Sequence, residues 1–173
     1  MLSYSTYVGG SGLESATAIA LDAANSVVIA GSTTSVNFPV TAGTYQPAAS
    51  LNSDIFVAKL NAAGTALVYA TYIGGTGIDH AYDVALDAAG NAYITGYTTG
   101  AFPTTPGAYQ APSGSTEVVV TKLAANGGGL VYSTVLGIGT GYGIAVGSMG
   151  NAYVVGHAPG AFPTTAGALQ ANP

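Results

Sequence analysis

The sequence predicts an all-β fold built from repeated units of four short antiparallel strands. The chain resembles itself at a period of roughly 65 residues, and such a period is the signature of a repeat architecture. Short segments alternate apolar and polar residues between clusters of turn-forming residues, which is the pattern of half-buried strands. The 26 Gly and 12 Tyr among 173 residues also favour turn-rich β structure over helix.

Four sequence blocks make up the repeat. The stretch LSYSTYVGG at residues 2–10 recurs at 67–75 and 130–137; residues 85–96 match 20–31 and 145–156; residues 102–110 match 38–46 and 162–170; and residues 118–123 match 55–60. The last block has no third copy. We therefore interpret residues 1–173 as one domain, with repeat copies at approximately 2–66, 67–129 and 130–173.

The sequence pattern of each full repeat predicts four strands, which we call strands a to d. In the second repeat they lie near 84–87, 91–97, 118–123 and 130–136. Clusters of turn residues join a to b and c to d as hairpins. A loop of roughly twenty residues joins b to c, and its Phe-Pro pair is expected to place an aromatic ring under a neighbouring unit.

Tandem four-stranded units indicate β-propeller blades. Along the chain the prediction is a strand d at Leu2–Val8, two complete sets, and a final pair a and b. This amounts to about 2.5 to 3 blades, fewer than the four to eight of a closed ring, so we predict an incomplete propeller.

The first strand d and the last strand b are then free sheet edges. The residues assigned to these edges are Leu2, Tyr4, Thr6, Val8, Asn151, Tyr153 and Val155. Unpaired N–H and C=O groups at an edge invite pairing with another strand. Copies of the chain could associate head to tail into a ring or a filament. Alternatively, the chain is a slice of a longer array whose other blades lie in the same polypeptide.

The charge balance excludes several classes of partner. The chain has 2 Lys+Arg against 7 Asp+Glu, a net charge of −5, so it cannot present the basic face that nucleic acids or anionic membranes require. Its apolar runs are shorter than the roughly 18 residues of a spanning helix, so we expect no membrane insertion. The absence of Cys removes disulfides, thiolate metal sites and Cys nucleophiles.

The densest group of ionisable residues is Asp79, His80 and Asp83. An imidazole between carboxylates can ligate a metal or act as a base, so these residues are weak metal candidates. The other two repeats do not carry this group, which favours a solvated loop. We expect no catalytic residue, no cofactor and no enzymatic activity.

Asp22 and Asp87 precede hairpin turns, where a carboxylate accepts hydrogen bonds from the backbone two residues further on. Calcium binding by Asp87 together with Asn91 is the weaker alternative.

The two basic residues, Lys59 and Lys122, occupy matching places in two repeats. This match predicts a structural salt bridge, with Asp54 or Glu117 as the suggested partner.

Tyrosines also repeat with the strands: Tyr4, Tyr7, Tyr69, Tyr72, Tyr93, Tyr132 and Tyr153. Packing between blades is the favoured interpretation, and a platform for stacking on glycans is the alternative.

The blocks at 2–10, 56–60, 86–96 and 102–110 together resemble the bacterial SBBP-type β-propeller repeat, and the resemblance covers nearly the whole chain. The third copy departs from the pattern, since Gly147 replaces the aspartate of the other two. The resemblance implies a secreted or cell-surface bacterial protein and supplies no catalytic residues. We expect a non-catalytic extracellular structural protein that self-assembles, with a glycan- or protein-binding module of a longer surface propeller as the alternative.

Overall fold

A computed structural model describes residues 2–50 and 52–171, and in this part of the chain all regular structure is β. Ten strands are present: β1 (Glu14–Leu21), β2 (Val27–Thr33), β3 (Asp54–Leu60), β4 (Leu67–Ile73), β5 (Asp79–Leu86), β6 (Ala92–Thr98), β7 (Glu117–Leu123), β8 (Leu130–Ile138), β9 (Thr140–Val146) and β10 (Ala152–His157).

The strands form three antiparallel sheets in chain order. The first sheet is β1-β2-β3-β4, the second is β5-β6-β7-β8, and the third contains β9 and β10. Each strand pairs with its sequence neighbour, as expected for consecutive hairpins and meanders. The prediction of four-stranded blades in an incomplete propeller is confirmed.

The a–b turns follow the predicted chemistry. The Asp87 carboxylate accepts hydrogen bonds from the backbone N–H groups of Ala89 and Asn91, at 3.0 and 2.9 Å. Gly90 lies in this turn at a φ of 81°, in the left-handed region that glycine tolerates best. In the first repeat the same turn holds Asn25 at a φ of 59°, because asparagine also tolerates this conformation.

Successive side chains of a strand point to opposite faces of its sheet, so the second sheet has one core on each side. In β2 and β3, Val28 and Val57 face the second sheet and pack with Ile94 and Val119. On the opposite face of the second sheet, residues such as Tyr93 pack against the third sheet. The cores therefore lie between neighbouring sheets, as in adjacent propeller blades.

The Phe-Pro loop contributes to these cores. Phe102 is buried in the cluster between the first and second sheets, which confirms the expectation that its ring packs under a neighbouring unit. The matching Phe38 packs instead on its own sheet, with its ring centroid 4.8 Å from that of Phe56.

One irregularity recurs in all three sheets. The a–b pairing skips one residue of strand a, so that Thr17, Tyr82 and Tyr142 are the extra residues of three equivalent β-bulges. The glycine opposite the second bulge, Gly96, lies so close to the His80 carbonyl oxygen that a Cβ would collide with it. Each bulge therefore bends strand a and turns one side chain out of the ladder.

The predicted strand d at Leu2–Val8 is wrong, because these residues form no strand. In the two complete sheets, strand d obtains its hydrogen bonds from strand c of its own sheet. Leu2–Val8 has no such partner among the described residues. The segment lies instead against the first sheet, where Tyr4 approaches Gly64 and Val8 packs beside Phe56.

Candidate functional site

The outer face of the first sheet exposes apolar side chains that are buried at the matching place in the second sheet. Ile19 on β1 is 67% exposed, whereas its counterpart Val84 on β5 is 5% exposed, because the first sheet covers it. No sheet covers Ile19 on this side within the described residues. Phe56 and Tyr72 on the same face are buried, with Phe38 and Val8 packed against them, so the open part of this face is the region around Ile19.

The outer face of the third sheet shows the same contrast. Tyr153 and Val155 on β10 are 61% and 70% exposed, while their counterparts Tyr93 and Thr95 are fully buried by the third sheet. This two-stranded sheet therefore presents a second open blade face.

The edge of β10 is also open. In the complete sheets the equivalent strands β2 and β6 pair with a strand c, whereas within residues 2–50 and 52–171 the partner of β10 is β9 alone. A cavity of about 240 Å³ lies beside this edge, with Val118, Leu136, Val154 and Phe162 among its lining residues. An added strand could contribute side chains to this cavity.

The residues assigned to the assembly edges lie in two different settings. Tyr153 and Val155 lie on β10, and Asn151 immediately precedes it. Leu2, Tyr4, Thr6 and Val8 lie outside any strand.

The lysines form salt bridges, but the partners suggested from sequence are wrong. Lys59 Nζ lies 2.8 Å from Asp22 Oδ2, and Lys122 Nζ lies 3.0 Å from Asp87 Oδ2. Asp54 begins β3 and Glu117 begins β7, whereas Lys59 and Lys122 lie near the other ends of these strands. The five residue steps between each acid and its lysine span about 16 Å. The turn aspartates lie at the lysine end.

The Asp87 carboxylate is held in its ionised form. Burial acts to raise its pKa, but hydrogen bonds from Asn91 and Lys122 outweigh burial and hold the pKa at about 2. The Lys122 ammonium also lies 4.7 Å from the centre of the Tyr93 ring. These residues together tie strands a, b and c at one end of the sheet.

The structure separates the residues of the Asp79, His80 and Asp83 group. Asp79 is buried between the first and second sheets, where Gly75 N donates to its Oδ2 at 2.8 Å. The Asp83 carboxylate instead accepts a 2.8 Å hydrogen bond from Ile144 N on the third sheet. Within the described residues, no three His, Asp or Glu side chains form a group that could hold a metal ion.

The structural comparison between sheets agrees with a comparison to known families. Residues 68–103 match the family model described as "SBBP: Beta-propeller repeat". This segment is similar to an SBBP repeat. The matched residues run from β4 through β5 and β6 to the buried loop phenylalanine, so the SBBP match begins in strand d of one sheet and continues into the next sheet. The family resemblance seen in the sequence is confirmed for residues 68–103. A search of curated proteins found no match.

The SBBP repeat also holds an aromatic cluster that sequence reasoning missed. The His80 ring stacks on Tyr97 at 5.5 Å between centroids, and Tyr82 bridges Tyr97 to Tyr142 on the third sheet at 6.0 and 5.4 Å. Tyr82 and Tyr142 are both bulge residues. The sequence contained a signal for the bulge at Tyr82. Ala81 and Val84 are apolar and three residues apart, yet they face the same core, whereas a regular strand places every second residue on one face.

The tyrosines singled out by their repetition have different environments. Tyr69, Tyr72 and Tyr93 are buried between or against sheets, as the packing interpretation predicts, whereas Tyr7 and Tyr153 are exposed. Across residues 2–50 and 52–171, no helix has the length and apolar character needed to cross a bilayer.

Proposed function

We propose that this protein is a non-catalytic structural module that acts outside the cell or at the cell surface and assembles through the open faces of its terminal blades. The SBBP match supports a binding or structural module built from repeats. Assembly between copies of the chain, as a ring or a filament, is the further step of the proposal.

The observation that carries the proposal is the exposure of Tyr153 and Val155, because the equivalent side chains of the second sheet, Tyr93 and Thr95, are completely buried. A blade from another copy would bury this face and the matching face around Ile19. Apolar burial contributes roughly 25 cal/mol per Å², and this gain acts against the loss of translational and rotational freedom on association. The copies form a ring if the rotation that relates them closes, and a filament if it does not.

A non-catalytic role is consistent with the structural use of the ionisable side chains. Asp22 and Asp87 accept hydrogen bonds from turn N–H groups and form salt bridges with the lysines. Asp83 accepts a hydrogen bond that joins the second sheet to the third. A location outside the cell is the part of the proposal that rests on the family resemblance alone. Cell fractionation of the native producer would test it, and a strictly internal pool would contradict it.

Assembly can be tested by sedimentation of the purified chain over a range of concentrations. We expect Val155→Lys to shift the population strongly toward monomer, because it places a charge in the interface. Val131→Lys is the matched control, since Val131 is a half-exposed strand valine on β8, away from the two open faces. A chain that stays monomeric at high concentration, or equal effects of both substitutions, would contradict the proposal.

A glycan-binding role is the second candidate, and the aromatic cluster favours it. Tyr142 is half exposed and adjoins Tyr82, and such rings can stack on the apolar face of a sugar. We expect Tyr142→Ser to weaken binding in a glycan array, while Tyr109→Ser, an exposed tyrosine outside the cluster, leaves it unchanged. An array without any ligand for the parent chain would exclude this role for the glycans tested.

A further inference from the structure

Two buried carboxylates meet at the junction between the first and second sheets. Asp54 begins β3 and Asp79 begins β5, and both are at least nine-tenths buried. Asp54 Oδ1 and Asp79 Oδ2 each lie within 3.0 Å of the point where a Cβ on Gly74 would stand. The two oxygens are therefore no more than about 5 Å apart.

Neither carboxylate is fully satisfied by hydrogen bonds. Ser50 N donates to Asp54 Oδ2 at 2.7 Å, and Gly75 N donates to Asp79 Oδ2 at 2.8 Å. The Oδ1 atom of each aspartate is buried without a hydrogen-bond partner. Two adjacent, dehydrated negative charges are costly, so this junction requires a compensating positive charge.

Neither lysine supplies a cation for this purpose. Lys59 and Lys122 are the basic residues of the sequence, and each is paired with a turn aspartate at the other end of its strand. The titratable groups around the pair are Tyr72 on β4, Tyr97 on β6, the adjacent His80, and Glu14 on β1, whose carboxylate acts on Tyr72 as Asp54 does. Burial raises the pKa of both tyrosines, with Asp54 adding to the effect on Tyr72 and Asp79 to that on Tyr97, so they stay neutral.

We propose that Asp54 and Asp79 share one proton in the folded protein, so that protonation of this pair stabilises the junction between the two sheets. The proton comes from solvent and neutralises one of the two carboxylates. The pair then carries a single negative charge in place of two. Protonation of this pair does not require assembly between copies of the chain.

The electrostatics agree with this geometry. Burial raises the pKa of Asp79 to about 6, with the neighbouring Asp54 adding to the effect against hydrogen bonds from Thr98 and Gly75. Burial also raises the pKa of Asp54. The folded protein therefore binds more protons than the unfolded chain between pH values of about 4 and 6. Stability is greatest below this range and falls as pH rises through it.

The next junction along the chain provides an internal control. Glu117 begins β7 at the place equivalent to Asp54, and it is also buried. Its Oε2 accepts a hydrogen bond from Ser113 N at 2.7 Å, as Asp54 does from Ser50. The place of Asp79 is taken there by Gly139, so Glu117 faces no second carboxylate from that position.

Denaturant unfolding of dilute protein over a pH series tests the proposal. We expect the contribution of the pair to the unfolding equilibrium constant, measured as the difference between the parent chain and Asp79→Asn, to rise about 100-fold between roughly pH 3.5 and pH 7, since a pKa change of about two units corresponds to that factor. Asp79→Asn should remove this component, Asp54→Asn should reduce it by the part that the neighbouring charge contributes, and the double variant should remove no more than Asp79→Asn alone. Glu117→Gln should retain it.

Burial lowers the pKa of His80, and hydrogen bonds lower those of Glu14, Asp22 and Asp87, so these groups contribute with the opposite sign. They are present in every variant, so the difference between the parent chain and Asp79→Asn at each pH isolates the carboxylate pair. Parallel pH profiles for these two proteins would overturn the proposal. So would a stabilisation by CaCl₂ at neutral pH that Asp79→Asn abolishes, since the pair would then hold a cation in place of a proton.

Carboxyl-carbon NMR of the parent chain provides a readout that needs no variant to fold. We expect the two aspartates to titrate as a coupled pair, with one step well above the usual range near pH 4. Two independent titrations at ordinary values would overturn the proposal.

Discussion

At the scale of single residues, close backbone approach decides which side chains the blades accept. Gly31, Gly96 and Gly156 stand opposite the bulge of strand a in the three sheets. At each of them a Cβ would collide with a carbonyl oxygen of the bulged strand. The repetition of this glycine is therefore explained by contact with the neighbouring backbone, which cannot move aside as a side chain could.

We expect Gly96→Ala to destabilise the protein by about 1–3 kcal/mol, the usual range for overpacking a close-packed site. Gly129→Ala is the matched control, because a Cβ there meets no atom within 4 Å. Thermal or denaturant unfolding measures both. Equal stability of the two variants would show that the bulge relaxes at little cost.

The residue scale also shows where sequence reasoning succeeded and where it failed. The roles of Asp22 and Asp87 in turns were predictable, because a carboxylate two residues before a backbone N–H acts locally. Their ion pairs with Lys59 and Lys122 were not predicted, since strand pairing brings together groups from distant segments. Proximity along a strand was misleading there, because an extended chain separates residues quickly.

At the scale of elements, the long b–c loop helps to hold neighbouring sheets together. Phe102 lies in the loop that follows β6, and its ring fills the core between the first and second sheets. Thr105 continues the attachment to the second sheet, since its N–H donates to the Ser133 carbonyl oxygen at 3.0 Å. The loop is thus ordered by the contacts at both of these points.

We expect Phe102→Ala to cost about 3–5 kcal/mol, the range for emptying a buried aromatic site. Phe162→Ala, the same change in the third repeat, should cost clearly less, because Phe162 is only partly buried beside the two-stranded sheet. Denaturant unfolding of both variants checks the difference. Equal losses would mean that the loop phenylalanine stabilises its own loop more than the junction.

At the scale of the whole molecule, the sheets differ in completeness. The second sheet is covered on both faces by neighbouring sheets, whereas the first and third each keep one open face. The third sheet has two strands and a free edge at β10. Isolated two-stranded sheets are marginal in water, so this end depends on its packing against the second sheet.

Hydrogen exchange should reveal this gradient. We expect the amides of β9 and β10 to exchange faster than those of β6 and β7, because local opening costs least where strands lack neighbours. Exchange in β10 should slow at concentrations where copies associate. Uniform protection of all ten strands in dilute solution would contradict this account.

The sequence by itself determined the repeat, the hairpins and the polarity of each strand face, because these depend on residues close together in the chain and on a period of two. Tertiary structure decided the lysine partners, the bulges, the meeting of Asp54 with Asp79, and the absence of a strand at Leu2–Val8. A strand exists only where another strand supplies its hydrogen bonds, and a buried charge is perturbed only by what lies beside it in space. Both depend on how separate repeats pack against each other.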